Sequence, residues 1–457
     1  EGIGLVIRAV GLLWLVPLGA FALQAAFGAG SFDVPARAWA STLVVAATAA
    51  ALAVTAALPV AVVLADGRGR WARALSLLPL LFPPILGASA WFGLGLPIPG
   101  PAGCGAILGA GLWPAVAFPL AAALSRIPSG ELEAAALQLG AGQTGRVVIL
   151  PRIAPALAGG AGLVALLAAS EFTVPSAFGL VTVSTVVFDR LARFEFGAAW
   201  AACLPLVAAG VLAAFALRRL PWRPGAQGGP LRATWARPLA ALVWILTAAG
   251  PALVAAMRVG SPARFVGAMR THGEAVLFSL LLAVGVALVL VAWSLASARR
   301  SRLEAAWVAA LVIPGLVPAF GLLLLAGPLG LGSSALLLAW ALASRFAAVA
   351  WLPLRDRVDR GQLEAAELAG WSRLRAWRHV VWPAVASRAA ATAAVVFALV
   401  LAEAGPSILL APPGGSTVVQ HLFNLLHYGY DETVAALGLA LAAAAGLGAY
   451  AGRLGRA

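Results

Sequence analysis

The feature that most limits what this chain can become is the recurrence of apolar stretches long enough to cross a bilayer. A hydrocarbon core of about 30 Å takes roughly 20 residues of α-helix. About twelve such runs can be read, near 5–27, 41–65, 74–95, 104–125, 153–170, 197–217, 238–257, 274–298, 304–326, 333–354, 384–402 and 432–451. Composition agrees: 62% of residues are hydrophobic, 11% are charged and the mean hydropathy is +0.97. The expected fold class is all-α, a polytopic membrane protein of about twelve transmembrane helices. The first run carries Arg8 and lacks a convincing cleavage site, so it reads as a membrane helix rather than a signal peptide, and Glu1 suggests a trimmed start.

Charge then excludes several chemistries. Lys and Arg together number 31 against 17 acidic residues, a net +14, and every one of the basic residues is Arg. A P-loop needs a Lys on the nucleotide phosphates and a Schiff base needs a Lys amine, so neither is available within this sequence. Two cysteines, Cys104 and Cys203, and four histidines offer no disulfide framework or zinc cluster. The arginines fall in short gaps between apolar runs, which fits loops beside a membrane rather than a nucleic-acid surface.

Most of these arginines sit in alternate gaps, including Arg68, Arg70 and Arg73, Arg126, Arg146 and Arg152, Arg299, Arg300 and Arg302, and the group from Arg355 to Arg388. The positive-inside rule therefore puts those gaps and both termini in the cytoplasm. Arg345 falls inside an expected span, where an unpaired charge costs roughly 2.5–3.5 kcal/mol. Either that boundary is displaced or Arg345 pairs inside the bundle.

The chain also repeats itself. Ser184-Thr185-Val186-Val187 recurs as Ser416-Thr417-Val418-Val419, and the same spacing carries Glu171 to Glu403 and Pro151 to Pro383. Upstream, Pro79 and Pro83 correspond to Pro314 and Pro318. The expected organisation is a first transmembrane half at 1–217, a Pro/Gly/Arg-rich cytoplasmic linker at 218–237 and a second half at 238–457. An even six helices per half gives a parallel repeat with a pathway between the halves. Prolines within spans free backbone carbonyls and mark broken helices, and Ala/Gly-rich spans such as 384–402 and 432–451 allow close helix packing.

Between the fourth and fifth run of each half lies a polar helical loop. The first holds Glu131, Glu133, Ala134, Ala135 and Gly140; the second holds Glu364, Ala365, Ala366 and Gly370. Each is a short helix of good formers stopped by a Gly suited to a positive-φ cap, then followed by a basic helix. Two copies of such an elbow suggest a docking handle, the alternative being an ordinary surface loop.

With these residues in view, the sequence resembles the inner-membrane permeases of binding-protein-dependent ABC importers. Their signature is Glu-Ala-Ala, three residues, Gly, and a Leu-Pro-like pair further on. Glu364-Ala365-Ala366, Gly370 and Pro383 match it; in the first half, with Gly140 as anchor, Glu133 stands one place early and Pro151 comes two residues short. The resemblance implies a type I importer permease fold like that of the methionine permeases. It implies partners: two copies of a cytoplasmic ATPase subunit, which carry the ATP and Mg, and a periplasmic solute-binding protein, in a bacterial inner membrane. This chain would bind no cofactor itself and would be no enzyme. Both halves in one polypeptide, and the stretch from Leu401 to Gly414 with Leu425-Leu426-His427-Tyr428-Gly429 after it, look most like iron(III) importers, with thiamine, phosphonate and polyamine importers as alternatives.

Candidate pathway residues are Glu171 and Glu403, at equivalent span ends, with Thr185, Thr417 and Tyr428. Paired carboxylates could attract a cation; equally, each could cap a helix or pair with Arg190 or Arg193. Asp189, His421, His427 and Asp431 share those outer segments without the spacing of a metal site. An ion-gradient-driven secondary transporter is the competing class, and an intramembrane enzyme lacks its motif.

Overall fold

A computed structural model of the chain describes residues 10–27, 33–66, 70–217, 234–297, 303–327, 332–355, 358, 360–429 and 431–454. The protein is a helical polytopic membrane protein, and every regular element among the described residues is a helix. Seven helices are long and apolar enough to cross a membrane, from Ala36–Ala65 to Arg373–Ala402, and three bent pairs raise the number to ten. Two of the twelve expected runs fall outside that set: 5–27 contains the 12-residue helix Val16–Phe27, and 432–451 becomes the helix Glu432–Leu454. The expected linker lies outside the described residues over 218–233, as do Arg8, Arg68 and Arg299, Arg300 and Arg302.

Proline placement explains the bent pairs. The helix pair Trp71–Leu81 and Pro84–Gly93 meets at 84° across Phe82-Pro83, and Glu304–Val312 and Leu316–Ala326 meet at 105° across Ile313-Pro314-Gly315. Pro has no N–H to donate and its ring disfavours helix at the preceding residue, so each break is written into the sequence. In the third bent pair Pro101–Leu112 and Pro114–Leu124 meet at 49°, with Pro114 at the first position of the second helix, where its missing N–H is tolerated.

Helices are exchanged reciprocally between the two ends of the chain. Val16–Phe27 packs on Leu316–Ala326, while Gly250–Val259 packs on Pro84–Gly93. Phe196–Leu217 lies against Glu304–Val312, and Glu432–Leu454 lies against Arg70–Leu81. Close approach depends on small residues: a Cβ on Gly321 would sit 1.8 Å from the Pro17 carbonyl oxygen, and one on Gly105 would sit 1.8 Å from Thr48 Oγ1. In a bilayer, where apolar burial supplies little drive between helices, such backbone proximity is a main source of packing energy.

Tryptophans secure the seams of this exchange. The indole N–H of Trp307 donates to the Gly11 carbonyl at 3.0 Å and that of Trp340 to the Leu13 carbonyl at 2.8 Å, and the Ser344 hydroxyl donates to the Trp14 carbonyl. These three carbonyls lie at or just before the turn at Trp14-Leu15. The other N-terminal span is interrupted by a π-turn at Ile245–Ala249, beside which Trp113 donates to Thr247 at 3.1 Å and Trp244 to Ser76 at 3.0 Å. An unsatisfied carbonyl at a break costs about 1–3 kcal/mol, so Trp307, Trp340 and Ser344 stabilise the N-terminal turn, whereas Trp113 and Trp244 join neighbouring helices through hydroxyls.

Candidate functional site

The two elbows are built alike. The first is the helix Ser129–Thr144, which leaves helical geometry at Gly140 (φ 76°, ψ 160°). The second is Arg360–Leu368, closed by Gly370 at φ 86°. There the Gly370 N–H donates to the Glu367 carbonyl and the Trp371 N–H to the Ala366 carbonyl, both at 3.0 Å. This is a Schellman cap, which needs a left-handed residue at that place. Each elbow then runs through a single π-turn, Gly145–Ile149 or Trp377–Val381, straight into a 21-residue helix, Leu150–Ser170 or Trp382–Ala402.

Burial along the elbows fixes their relative register. Leu132 and Ala135 turn inward on the first, Leu363 and Ala366 on the second, while Leu137 and Leu368 project outward, 89% and 90% exposed. Glu133-Ala134-Ala135 therefore occupies the place of Glu364-Ala365-Ala366. The one-residue mismatch found when Gly140 was the anchor arises because the first elbow has one more residue after its outward leucine. The missing two residues before Pro151 fall within the following turn, where the second elbow has Ser372 capping Arg373–Ala376 and the first does not.

Their attachment differs. Leu363 is buried with Val291, Leu295, Leu354, Ala376, Val381, Val385 and Ala389 in a core of its own. On the first elbow, Arg152 donates to the exposed Glu131 carboxylate, and that hydrogen bond holds the Glu131 carboxyl below its ordinary value of 4.5. On the second, Glu367 and Arg373 approach to 3.7 Å and the Arg375 guanidinium lies 4.8 Å from the centre of the Trp371 ring.

Glu171 and Glu403 occupy matching places at the ends of the two 21-residue helices. Each residue's N–H donates to the carbonyl three residues back at 3.3 Å, and each leaves the helix in an extended conformation. Each carboxylate caps the short helix that follows, accepting from the N–H of Thr173 at 2.8 Å or of Gly405 at 3.3 Å. The Thr173 hydroxyl also donates to Glu171. Beyond capping they diverge. Glu403 Oε2 pairs with Arg345 Nε at 2.8 Å, and Arg345 Nη1 donates to the Ile313 carbonyl at 2.5 Å, at the 105° break. Thus Arg345 lies within the span and is paired inside the bundle. Arg190, considered as a partner for the carboxylates, instead donates to the carbonyls of Ala198 and Asp33. Glu171 is within electrostatic range of both Glu403 and Arg345, so the structure brings the two carboxylates into one neighbourhood.

The threonines align differently from the shared Ser-Thr-Val-Val string. Thr182 caps Val183–Ala192 and Thr417 caps Val418–Leu426; Thr185 is the third residue of its helix, its Oγ1 accepting from the Thr182 N–H at 2.9 Å. The Val183 N–H donates to Thr42 Oγ1 at 2.9 Å and the Val418 N–H to Ser279 Oγ at 2.8 Å. Thr417 therefore corresponds to Thr182, and Thr185 and Thr417 both serve their helix starts. Tyr428, 92% exposed, follows the second of these helices as Phe194, 76% exposed, follows the first. Nearby, the His272 and His421 rings lie 5.2 Å apart and Ser416 bonds His421 at 2.6 Å. Burial, and then the charge of His272, push the His421 imidazole below its ordinary value of 6.5.

Sequence reasoning left Thr42, Ser279 and Phe194 unmarked. A single hydroxyl within an apolar run gives no signal until its partner helix is known. Among the described residues no group of three or more His, Cys, Asp or Glu is placed to hold a metal ion. No protein-family model, curated protein or solved structure matches the chain.

Proposed function

We propose that this chain is the permease subunit of a binding-protein-dependent ABC importer, moving a solute across a bacterial inner membrane by alternating access. The observation that carries the reading is the pair of elbows. Each presents an exposed leucine to solvent, ends on a positive-φ glycine and continues directly into a 21-residue helix. Large apolar side chains held outward on ordered polar helices mark places where another protein docks. An elbow continuous with a membrane helix turns docking into motion of that helix.

The reciprocal helix exchange and the matched caps support two parallel halves, 1–217 and 238–457, related by an axis along the membrane normal. The arginines around the elbows favour a cytoplasmic position for them and for both termini. The partners in this reading are two copies of a cytoplasmic ATPase, which hold the ATP and Mg, and a periplasmic binding protein. The permease performs no catalysis. Iron(III) is the leading solute, from the resemblance of the 401–429 segment, with thiamine, a phosphonate or a polyamine as alternatives.

The test is uptake in vesicles carrying this chain, its cognate ATPase and its binding protein. Uptake should stop when ATP is depleted and persist when ionophores collapse ion gradients. The reverse pattern would replace this reading with a secondary transporter.

A further inference from the structure

We propose that Arg345 is a positioning residue shared between two carboxylates: it holds Glu403 in the arrangement described here and passes to Glu171 in the alternative access state. The second clause rests on the alternating-access reading; the first does not. Arg345 is 8% exposed, and its guanidinium ties together three helical segments of the bundle. It projects from Ala335–Leu354, binds the free Ile313 carbonyl at the break between Glu304–Val312 and Leu316–Ala326, and pairs with Glu403 at the end of Trp382–Ala402. That last helix is the one the second elbow drives.

The site is fitted around this pair. A Cβ on Gly315 would lie 2.5 Å from Glu403 Oε1 and 3.2 Å from Arg345 Nη1, so a larger residue there would push the carboxylate from its present place at the break. In the first half, the helix pair at the place of Ala335–Leu354, Pro101–Leu112 and Pro114–Leu124, carries no charged residue to match Arg345. One guanidinium thus faces two carboxylates, Glu403 in contact and Glu171 within electrostatic range. Among the described residues, the Glu171 side chain is hydrogen-bonded only through Thr173, two positions along its own chain. A buried charge without a counter-ion is strongly disfavoured, so a movement that separates Arg345 from Glu403 is stabilised if it brings Glu171 within reach. A device with two alternative partners has two discrete positions rather than a continuum.

The probe is dicyclohexylcarbodiimide, which attacks protonated carboxyls in apolar surroundings, with site-resolved mass spectrometry on the intact protein in lipid nanodiscs. An ion-paired carboxylate should be protected by about tenfold relative to one without a counter-ion. In the native protein Glu171 should react and Glu403 should resist. Arg345→Gln should raise Glu403 labelling about tenfold. Glu403→Gln leaves the Ile313 bond available and should lower Glu171 labelling about tenfold, as Arg345 turns to it. Glu403→Asp, which withdraws the carboxylate but keeps its charge, should produce a smaller shift in the same direction. Unchanged Glu171 labelling in both Glu403 variants overturns the sharing. These arms use no ATPase and no solute, so their failure is separate from failure of the importer reading. A final arm adds the cognate ATPase with ATP and vanadate. Labelling should move from Glu171 to Glu403, and an identical pattern in both nucleotide conditions overturns the role in access.

Discussion

The first elbow and the second carry the same outward leucine but are fastened to the membrane helices in different ways. The second grips a buried core through Leu363 and Ala376, shared with the helices Gly273–Ala296, Ala335–Leu354 and Trp382–Ala402. The first is tied across its own base by the exposed Glu131–Arg152 pair. Exposed ion pairs contribute about 0–1 kcal/mol, whereas one fully buried leucine contributes about 1.5–3 kcal/mol. Force applied to the second elbow therefore reaches the bundle with less give. In the proposed importer both elbows would offer the same outward leucine, on footings of different stiffness.

The sharpest way to break this comparison is at the two glycines. Valine at 370 must take a left-handed conformation within a Schellman cap whose flanks, Leu363 and Ala376, are fixed in the core. The strain cannot be relieved locally. Gly370→Val should weaken association with the ATPase by about tenfold or more, since roughly 1–2 kcal/mol of backbone strain falls on the docking surface. Gly140 lies in a region almost exclusive to glycine, yet the first elbow is tied by the exposed Glu131–Arg152 pair rather than by a buried leucine. Gly140→Val should therefore cost less, a few-fold. Affinity measured by titrating the ATPase onto nanodisc-held permease checks the order, and an equal loss at both sites would remove the difference in stiffness.

The outward leucines sharpen it from the other side. Leu137 and Leu368 are equally exposed, so each should lose similar contact when replaced. Leu137→Asp and Leu368→Asp are expected to weaken the same titration by about fivefold each, at the threshold of about 1 kcal/mol that separates interface anchors from neutral contacts. A one-sided effect would mean that only one elbow docks.

These two elbows also show what the sequence could and could not reveal. Apolar run length, positive-inside charge and the Glu-Ala-Ala-to-Gly spacing are local signals; they marked both elbows and about twelve runs, ten of which are span candidates in the structure when each bent pair counts as one. The one-residue register of Glu133 against Glu364 was not legible from the glycine alone, because it depends on which side of the helix is buried. Thr185 and Thr417 shared a string but not a structural place, since caps are set by where the helix begins rather than by identity. Glu171 and Glu403 were legible as a pair. Their unequal treatment by Arg345 was not, because the contact joins residues 58 positions apart through a break near Ile313.

The smallest expected effect concerns the tie on the first elbow. Glu131 has its carboxyl lowered by the Arg152 hydrogen bond, so any stabilisation is present above the ordinary carboxyl value of 4.5 and is lost as pH falls through the lowered value. Both side chains are exposed, 41% and 44%, and water screens the pair, so Glu131→Gln should leave the melting temperature nearly unchanged at neutral pH and ordinary salt. Local opening is the better readout. Amide exchange across 129–144 should rise in Glu131→Gln at neutral pH and low salt, and this excess should shrink as salt is added or as the pH is taken well below 4.5. Exchange across 360–368 should not respond, because the buried core around Leu363 holds that elbow at any of these conditions. A matching rise on the second elbow would show that the two are coupled through the bundle, and the contrast between a tied handle and a bolted one would then be wrong.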